Sequence, residues 1–197
     1  MISITFASHN HDKVEEIRAI LEGNFLITGL HDLGCHEDIP EPYDTLEANA
    51  LTKARYVYNN YSVNCFADDT GLEVDALNGL PGVLSARYAG QAKDNNANIN
   101  KLLYELEGRD NRQACFRTVI ALIIDGETHL FEGKACGHIT DQPRGTNGFG
   151  YDPVFVPDGY RQTFAEMDAA TKNKISHRYR ALQKLAEFLQ NYRSTLS

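Results

Sequence analysis

Two adjacent carboxylates and a hydroxyl, from Asp68, Asp69 and Thr70, directly follow an apolar run at residues 63–67 that predicts a buried strand. Ligands of open α/β sheets bind at strand ends, so acidic groups at this position favour a functional site. Side chains alternate between the two faces of a strand, so the two carboxylates share one site only if the backbone turns, and Gly71 permits that turn. An ordinary turn between two strands also explains these residues.

A polar loop connects the strand predicted at residues 2–6 with a helix predicted over residues 13–22. The loop consists of Ser8, His9, Asn10, His11, Asp12 and Lys13. Backbone N–H groups and the positive end of the helix dipole favour anions at a helix start, and Lys13 adds a cation, so this loop is a candidate phosphate site. It is not a P-loop, because no glycines flank Lys13 and no Ser or Thr follows it. A plain connection between strand and helix is the alternative.

An acidic segment that contains prolines, residues 34–44, follows the second predicted strand at residues 25–30. Pro40 and Pro42 exclude a helix interior, so the carboxylate of Glu41 lies on a loop. A solvated surface loop and a loop that supplies metal ligands both fit this composition.

Further regular elements are predicted from hydrophobic periodicity and capping residues. Two long apolar runs, residues 114–124 and 128–139, flank Asp125-Gly126 and predict a β-hairpin, so the sheet is mixed. The residues predicted to cap helices are Asp12 (with Glu15 in a capping box), Asp44 or Thr45, Asn95 and Ser176.

A glycine-rich segment, residues 143–153, contains two aromatic side chains, which flexible linkers seldom do. Glycines let a backbone approach a ligand closely, and Phe149 and Tyr151 offer stacking faces for a base. Asp152 adds a hydrogen-bond acceptor. In the alternative interpretation, the segment is a surface loop whose aromatic rings fill the core.

Two basic side chains, His177 and Arg178, fall in the first turn of the helix that Ser176 is predicted to cap. The helix dipole disfavours cations at this end, so an anion bound against them would explain their position. An amphipathic terminal helix with a solvated basic face is the alternative.

Acidic residues outnumber basic ones, 27 to 19, and the net charge is −8 over 197 residues. This balance excludes a general nucleic-acid binder, because affinity for the phosphate backbone depends on basic surface. The length and the 42% hydrophobic content allow a sizeable core without a metal or disulfide. No apolar run has the length of a membrane span and no signal-peptide pattern is present, so we expect a soluble, cytoplasmic protein that binds no membrane.

The four cysteines lie far apart, and no two of them form a CxxC pair. We expect them to be buried thiols rather than a zinc site or a disulfide framework. They are Cys35, Cys65, Cys115 and Cys136.

Six short motifs occur along the chain. They are Ser8-x-Asn10-x-x-Lys13, Pro40-Glu41 with residues 45–50, residues 67–72, residues 80–82 with 85–88, residues 148–153, and residues 175–178. In this order they resemble the inosine triphosphatase (Ham1-like) family, which comprises pyrophosphatases of noncanonical purine nucleoside triphosphates. The resemblance covers Phe6 to about Ala181. The chain departs from the family at His9 and Asp12, where small residues or glycine are common.

The resemblance implies that a nucleoside triphosphate such as ITP, dITP or XTP is hydrolysed to the monophosphate and pyrophosphate, with Mg²⁺ as cofactor. It also implies a single domain over residues 1–197 with an elongated, two-lobed α/β fold. In such a fold a long mixed β-sheet is flanked by helices, a cleft separates the lobes, and the protein is a homodimer.

The resemblance also assigns roles to individual residues. Asp69 becomes the general base and a magnesium ligand, and Glu41 becomes a second metal contact. The residues assigned to the triphosphate are Ser8, His9, Asn10, His11, Asp12, Lys13, Lys172 and Arg178, with Thr70 as a further substrate contact. The residues assigned to the base pocket are Phe149, Gly150, Tyr151, Asp152 and His177.

Two other functions remain open on the sequence. One is a pyrophosphatase of modified pyrimidine nucleotides, as in the similarly shaped Maf-like proteins. The other is a nucleotide sensor that binds without hydrolysis. The joint presence of Asp69, Glu41 and Lys13 favours an enzyme over a sensor.

Overall fold

Seven strands and five α-helices form the described part of the chain, which comprises residues 2–21 and 25–195 of a computed structural model. The strands are β1 (Ile2–Phe6), β2 (Phe25–Gly29), β3 (Cys65–Val74), β4 (Pro81–Gly82), β5 (Gln113–Ile124), β6 (Glu127–Ile139) and β7 (Phe155–Pro157). The helices are α1 (His11–Leu21), α2 (Leu46–Tyr61), α3 (Asn95–Glu105), α4 (Ala169–Ile175) and α5 (His177–Thr195). The predicted end of the first helix at Glu22 lies outside the described residues.

The strands form one mixed sheet in the order β2-β1-β3-β5-β6-β7, with β4 paired to β3. Strand β1 pairs in parallel with β2 and β3, whereas β4 pairs antiparallel with β3 and β7 pairs antiparallel with β6. The predicted hairpin is confirmed: β5 and β6 are joined at Asp125 and Gly126, whose φ angles of 49° and 87° suit a tight hairpin turn. The prediction of a mixed sheet is therefore confirmed.

The chain divides into two compact units. The first contains the described residues up to Asp69, together with Thr118–Gly133 and those from Arg178 onward. The second contains Thr70–Arg117 and Lys134–His177. Across the described residues of both units, no helix is long and apolar enough to cross a membrane.

In the first unit, helices cover both faces of the sheet, and the core is split accordingly. Phe66 of β3 packs among buried residues of α1 and α5, whereas its neighbour Ala67 packs among buried residues of α2. Because side chains alternate along a strand, Asp68 extends the Phe66 face and Asp69 extends the Ala67 face. The alternation therefore directs the two carboxylates towards different helices.

The core of the second unit is rich in aromatic rings. Phe116 of β5 lies 4.8 Å from Phe155 and 6.1 Å from Phe164, measured between ring centroids. Ile99 and Leu102 on the buried face of α3 belong to the same core. Tyr151, from the glycine-rich segment with the aromatic side chains, belongs to the same core.

Strand β3 is longer than predicted. The predicted strand end at Asp68 and the turn at Gly71 are wrong, because the strand continues without interruption to Val74. Gly71 serves a different purpose: a Cβ there would lie only 2.6 Å from the carbonyl oxygen of Gly82 on the paired strand β4. The glycine permits close approach of two strands rather than a change of direction.

The prediction for two of the four cysteines is wrong. Cys115 and Cys136 form a disulfide with an S–S distance of 2.05 Å. They stand on β5 and β6, so the hairpin brings together two residues 21 positions apart. Spacing alone does not reveal such a pair, because the pairing depends on the hairpin register. Cys35 and Cys65 remain buried thiols, as predicted.

Two of the predicted helix caps are displaced by one or two residues. Asn10, not Asp12, caps α1, since its side-chain oxygen accepts the N–H three residues further on. Asp94, not Asn95, caps α3. Thr45 caps α2, as predicted. Helix α4 was not predicted, and α5 begins directly after Ser176.

Candidate active site

Asp68 is buried on the face of β3 that meets α1 and α5. Lys13 Nζ donates to its Oδ1 at 3.0 Å, and Arg178 Nε donates to its Oδ2 at 3.3 Å. Burial opposes ionisation, but the positive charges of Lys13, Arg178 and Lys53 outweigh it and hold the pKa of Asp68 well below its ordinary value. Asp68 is therefore ionised at neutral pH, which suits it to hold cations rather than to exchange protons.

Arg178 lies between two carboxylates at the start of α5. Its guanidinium donates to Asp68 and, from Nη1, to Glu16 of α1, and only 1% of the residue is exposed. Burial lowers the pKa of Arg178, but the negative charges of Glu16 and Asp68 outweigh burial, so the pKa is raised above its ordinary value. Two carboxylates of the protein itself thus explain a cation at the end of the helix where the dipole disfavours it.

Asp69 lies on the other face of the strand and has the opposite pKa shift. Burial raises its pKa to about 6; the charges of Lys53 and Lys13 counteract this only in part, and Glu41 and Asp68 raise it further. A carboxyl group whose pKa lies near neutrality can accept a proton during a reaction and release it afterwards. Among the charged groups of this region, Asp69 has the properties of a general base.

Lys53 and Glu41 form an ion pair beside Asp69. Lys53 projects from the buried face of α2 and donates from Nζ to Glu41 Oε1. Burial lowers the pKa of Lys53, but the negative charges of Asp69, Glu41 and Asp68 raise it above its ordinary value. Burial raises the pKa of Glu41, but Lys53 lowers it by more. Both groups are therefore charged at neutral pH.

Lys53 was not among the residues predicted from the sequence, although a signal exists. It stands at helical spacing among Ala50, Ala54 and Val57, all of them buried. A lysine on the apolar face of an amphipathic helix requires a buried carboxylate as partner. That requirement would have marked Lys53 as part of the acidic site.

Two carboxylates in this region fit a hard divalent cation. Asp69 and Glu41 provide oxygen donors, which Mg²⁺ prefers, and Mg²⁺ usually keeps several water ligands, so that one or two carboxylates suffice. Within the described residues, no group of three or more His, Cys, Asp or Glu side chains is arranged to hold a metal ion. The donor chemistry therefore fits Mg²⁺ bound mainly through water.

The polar loop before α1 is held by its own side chains. Ser8 Oγ accepts the N–H of Asn10 at 3.2 Å, and Asn10 Oδ1 accepts the N–H of Lys13 at 3.1 Å. His9 Nε2 donates to the carbonyl oxygen of Glu37 at 2.9 Å. His11 and Asp12 are exposed in the first turn of α1. The loop thus has a defined shape beside Lys13, whose ammonium group turns inward to Asp68.

In the second unit, Asp152 and Lys172 form a buried ion pair with an Nζ–Oδ2 distance of 2.7 Å. The N–H of Phe149 donates to the same oxygen at 2.9 Å, and Lys172 Nζ lies 5.0 Å from the centroid of the Phe149 ring. Gly148 is required here, because a Cβ at this position would lie 2.0 Å from Asp152 Oδ2. The four residues form one compact polar and aromatic group.

The remaining residues assigned to the base pocket also lie in the second unit. Tyr151 is buried and donates from its hydroxyl to the carbonyl oxygen of Ser85 at 2.8 Å. The ring of His177 stacks on Phe116 with a centroid distance of 4.6 Å and an interplanar angle of 13°. The buried position of Tyr151 agrees with the alternative in which aromatic rings fill the core, whereas Phe149 is half-buried.

The predicted residues thus form two groups, one in each unit. The group in the first unit contains the loop Ser8, His9, Asn10, His11, Asp12 and Lys13, with Glu41, Asp69 and Arg178. The group in the second unit contains Phe149, Gly150, Tyr151, Asp152, Lys172 and His177, and half-buried Thr70 also belongs to this unit. Lys172, which the resemblance assigns to the triphosphate, contacts two residues that it assigns to the base, Asp152 and Phe149.

A sequence profile of the Ham1 family matches residues 4–188, which is nearly the whole chain. The chain belongs to the Ham1 family. This confirms the resemblance carried by the six sequence motifs.

Relatives of this Ham1 protein match it over nearly their full length. A protein of Porphyromonas gingivalis named dITP/XTP pyrophosphatase is 55% identical over 96% of this chain and 98% of its own. A protein of the same name from Flavobacterium johnsoniae is 52% identical over 95% and 98% of the two chains.

Solved structures agree with this relationship. The Staphylococcus aureus Ham1 protein superimposes with a TM-score of 0.88 at 39% identity, over 96% of this chain and 99% of its own. A Coxiella burnetii HAM1 protein superimposes with the same TM-score, 0.88, at 38% identity, over 97% and 100%. The predicted fold class, a mixed α/β fold of the Ham1 type, is therefore confirmed.

Proposed function

We propose that this Ham1 protein hydrolyses the triphosphates of noncanonical purines, namely ITP, dITP and XTP, to the monophosphate and pyrophosphate, and so cleanses the nucleotide pool. Relatives of about 50% identity with the name dITP/XTP pyrophosphatase support the proposal. The structural observation that carries it is the buried carboxylate of Asp69, with a pKa of about 6, beside the cation of Lys53.

The reaction requires positive charge around the electrophile. The α-phosphorus is surrounded by anionic oxygens that repel a nucleophile, so cations must first neutralise them. Lys13 and Lys53 are charged groups close enough to influence the pKa of Asp69, and we assign them to this task. Asp69 and Glu41 would hold Mg²⁺, which when bound would add positive charge and orient water at the reacting phosphate.

Asp69 acts as the general base. Its carboxylate accepts a proton from the attacking water, whose oxygen bonds to the α-phosphorus. The bond between the α-phosphorus and the oxygen that bridges to the β-phosphate breaks, and pyrophosphate leaves. In the metal-free protein, a pKa of about 6 leaves most of the Asp69 carboxyl groups deprotonated at neutral pH. In the net reaction, the nucleoside triphosphate and water give the nucleoside monophosphate and pyrophosphate.

The substrate is divided between two sets of side chains in this proposal. The polar loop from Ser8 to Lys13 is assigned to the phosphates because it ends at a helix N-terminus. Thr70 and Arg178 are assigned to the phosphates on the family resemblance. The base is assigned to Phe149, Gly150, Tyr151, Asp152 and His177. Lys172 is held by Asp152 beside the Phe149 ring, so we place its effect at the base as well as the phosphates.

Selectivity follows from hydrogen-bond patterns on the base. Hypoxanthine and xanthine present a 6-keto acceptor and an N1–H donor, whereas adenine presents an amino donor and an unprotonated N1. Buried Lys172 and Asp152 provide a donor and an acceptor of fixed position. A site built for one pattern leaves its buried groups unpaired with the other, which can discriminate by roughly 10⁴-fold.

The enzyme is proposed to act in the cytoplasm as a homodimer. The family resemblance supports the homodimer, and the cytoplasmic location is the expectation drawn from the sequence pattern. The acidic net charge of −8 fits a protein that binds a small nucleotide rather than a polymer. Size-exclusion chromatography with light scattering measures the oligomeric state directly.

A substrate panel tests the proposed function. The purified protein is assayed for pyrophosphate release from ITP, dITP, XTP, ATP, GTP, dUTP and methylated nucleotides, with Mg²⁺ and with EDTA. We expect kcat/KM for ITP, dITP and XTP to exceed that for ATP by at least about 10³-fold, and only with Mg²⁺. Release of IDP and orthophosphate would contradict the site of attack. Preference for dUTP or methylated pyrimidines would favour a Maf-like activity, and binding of ITP without turnover would favour a sensor.

A further inference from the structure

Four side chains of alternating charge are joined in the first unit in the order Glu16, Arg178, Asp68 and Lys13. Arg178 Nη1 donates to Glu16 Oε2, Arg178 Nε donates to Asp68 Oδ2 at 3.3 Å, and Lys13 Nζ donates to Asp68 Oδ1 at 3.0 Å. The exposed fractions of the side chains are 8%, 1%, 1% and 16% in that order. We call these residues the charge chain; its Lys13 end is the most accessible to a ligand.

Charge balance within the charge chain depends on Glu16. Two carboxylates face two cations, so each buried charge has an opposite charge beside it. Without the negative charge of Glu16, Asp68 would be the one carboxylate of the charge chain beside both Arg178 and Lys13. A buried ion that loses one partner is strongly unfavourable, so Arg178 would draw Asp68 towards itself. The hydrogen bond that orients Lys13 would then weaken.

Helix α1 carries both ends of the charge chain. Lys13 and Glu16 are three residues apart, so they lie on neighbouring turns of one helix face. Asp68 belongs to β3 and Arg178 to α5, and both are fixed by the core around them. The polar loop that precedes α1 is therefore connected to the strand through Glu16 as well as through Lys13.

We propose that Glu16 is a positioning residue for triphosphate binding: it holds Arg178 and, through Asp68, fixes Lys13 in the orientation that receives the phosphates. This inference rests on the proposed function, in which Lys13 binds phosphate. The side chain of Glu16 is only 8% exposed and its Oε2 accepts from Arg178, so it acts through other residues rather than on the substrate. It was not among the residues predicted from the sequence.

A double-mutant cycle between Glu16 and Lys13 tests the coupling. The variants are Glu16→Gln, Lys13→Ala and their combination, with Glu15→Gln as a matched control because Glu15 is an exposed neighbour that bonds Arg18. We expect E16Q to raise KM for ITP about tenfold while kcat changes less than about threefold, and E15Q to change neither by more than about twofold. In the K13A background, E16Q should change kcat/KM by less than about twofold, because no Lys13 remains to be oriented.

The outcome that overturns the inference is additivity. If E16Q lowers kcat/KM by the same factor with and without Lys13, Glu16 does not act through Lys13, and its effect comes from Arg178 or from the fold in general. Thermal unfolding and far-UV circular dichroism monitor folding of each variant. If E16Q does not fold, Glu16→Asp replaces it in the cycle, since it keeps the charge but withdraws it by one methylene group; the same non-additivity is expected.

Calorimetry with inorganic triphosphate separates this inference from the proposed function. If the wild-type protein hydrolyses no nucleotide of the panel, the proposed function fails, and the cycle is then read from triphosphate affinity alone. Non-additive loss of affinity in that cycle supports the role of Glu16. Equal losses in the two backgrounds reject it.

Discussion

Asp68 and Asp69 are neighbours in the chain, are both buried, and have opposite pKa shifts. Asp68 faces α1 and α5, where Lys13 and Arg178 donate to it, and its pKa is lowered. Asp69 faces α2, and its pKa is raised to about 6. Their exposed fractions are 1% and 7%, so burial alone does not separate them. The surrounding charges do: Lys13, Arg178 and Lys53 lower the pKa of Asp68, whereas Glu41 and Asp68 add to the effect of burial on the pKa of Asp69.

The comparison explains how one strand supplies two different carboxylates. Alternation along β3 directs the first side chain to a site that keeps it charged and the second to a site that lets it exchange a proton. The first holds Lys13 and Arg178, which the proposed function assigns to phosphate binding, and the second is the proposed base. A carboxyl group with a raised pKa thus lies next to one with a lowered pKa on a strand that continues without a turn.

The largest expected effect is loss of turnover when Asp69, on the α2 face of β3, is replaced. Asp69→Asn removes the proton acceptor but keeps the shape of the side chain, so we expect kcat for ITP to fall by about 10²- to 10⁴-fold with an unchanged circular dichroism spectrum. Steady-state pyrophosphate release measures this loss. The control is Glu107→Gln, at an exposed position of the second unit, which should retain wild-type turnover. Turnover of D69N within tenfold of wild type would show that Asp69 is not the base.

Loss of the Asp68 carboxylate should lower the free energy of unfolding more than any of the other proposed substitutions. Asp68→Asn leaves Arg178 and Lys13 with one less negative charge in a buried setting, and we expect the free energy of unfolding to fall by about 3–5 kcal/mol. Urea denaturation at pH 7.5 provides the measurement, again with E107Q as the control. A loss below about 1 kcal/mol would mean that the cations find other partners.

The pH dependence of stability should have opposite signs for the two residues. Asp69 keeps its proton up to pH about 6 when folded but loses it near pH 4 when unfolded, so its contribution to stability falls as pH rises between these values. Measured in EDTA at pH 7.5, D69N should therefore be roughly 1–3 kcal/mol more stable than wild type. Asp68 contributes stability above pH about 4, and this contribution is lost as pH falls further.

Denaturation across pH 3–8 in wild type, D68N and D69N measures these contributions. The excess of the free energy of unfolding of D69N over that of wild type should grow from pH 4 to pH 6. The difference between wild type and D68N should decrease only below pH 4. If both differences change over the same pH range, the two carboxylates do not titrate as their surroundings imply.

The smallest expected effect is stabilisation by magnesium. Mg²⁺ bound to the folded protein at 10–100 times its dissociation constant should stabilise it by about 1.4–2.7 kcal/mol. Differential scanning fluorimetry with Mg²⁺ and with EDTA detects this as a rise in Tm. Asp69→Asn and Glu41→Gln should each abolish the rise, whereas E107Q should keep it. A full rise in D69N and E41Q would place the metal elsewhere.

Local signals in the sequence predicted a large part of the fold. The hairpin at Asp125-Gly126 and the cap at Thr45 depend on residues close together in the chain, and both are confirmed. Family membership was also evident from the order of the six motifs, and it is confirmed. These features are local because turn chemistry and capping involve residues within a few positions of each other.

Other features depend on the tertiary structure. The continuation of β3 past Gly71, the buried position of Lys53, and the disulfide between Cys115 and Cys136 were not predicted. Each depends on a partner that is distant in sequence, such as the β4 backbone against Gly71 or the opposite strand of the hairpin.

By itself, the sequence determined which residue types are available to the site: a pair of carboxylates, a lysine in a polar loop, and an arginine at a helix start. Only the tertiary structure decided which carboxylate stays charged and which can accept a proton. The reason is physical: a pKa depends on burial and on the charges in contact, and folding brings Lys13, Asp68 and Arg178 together although the last two are 110 residues apart.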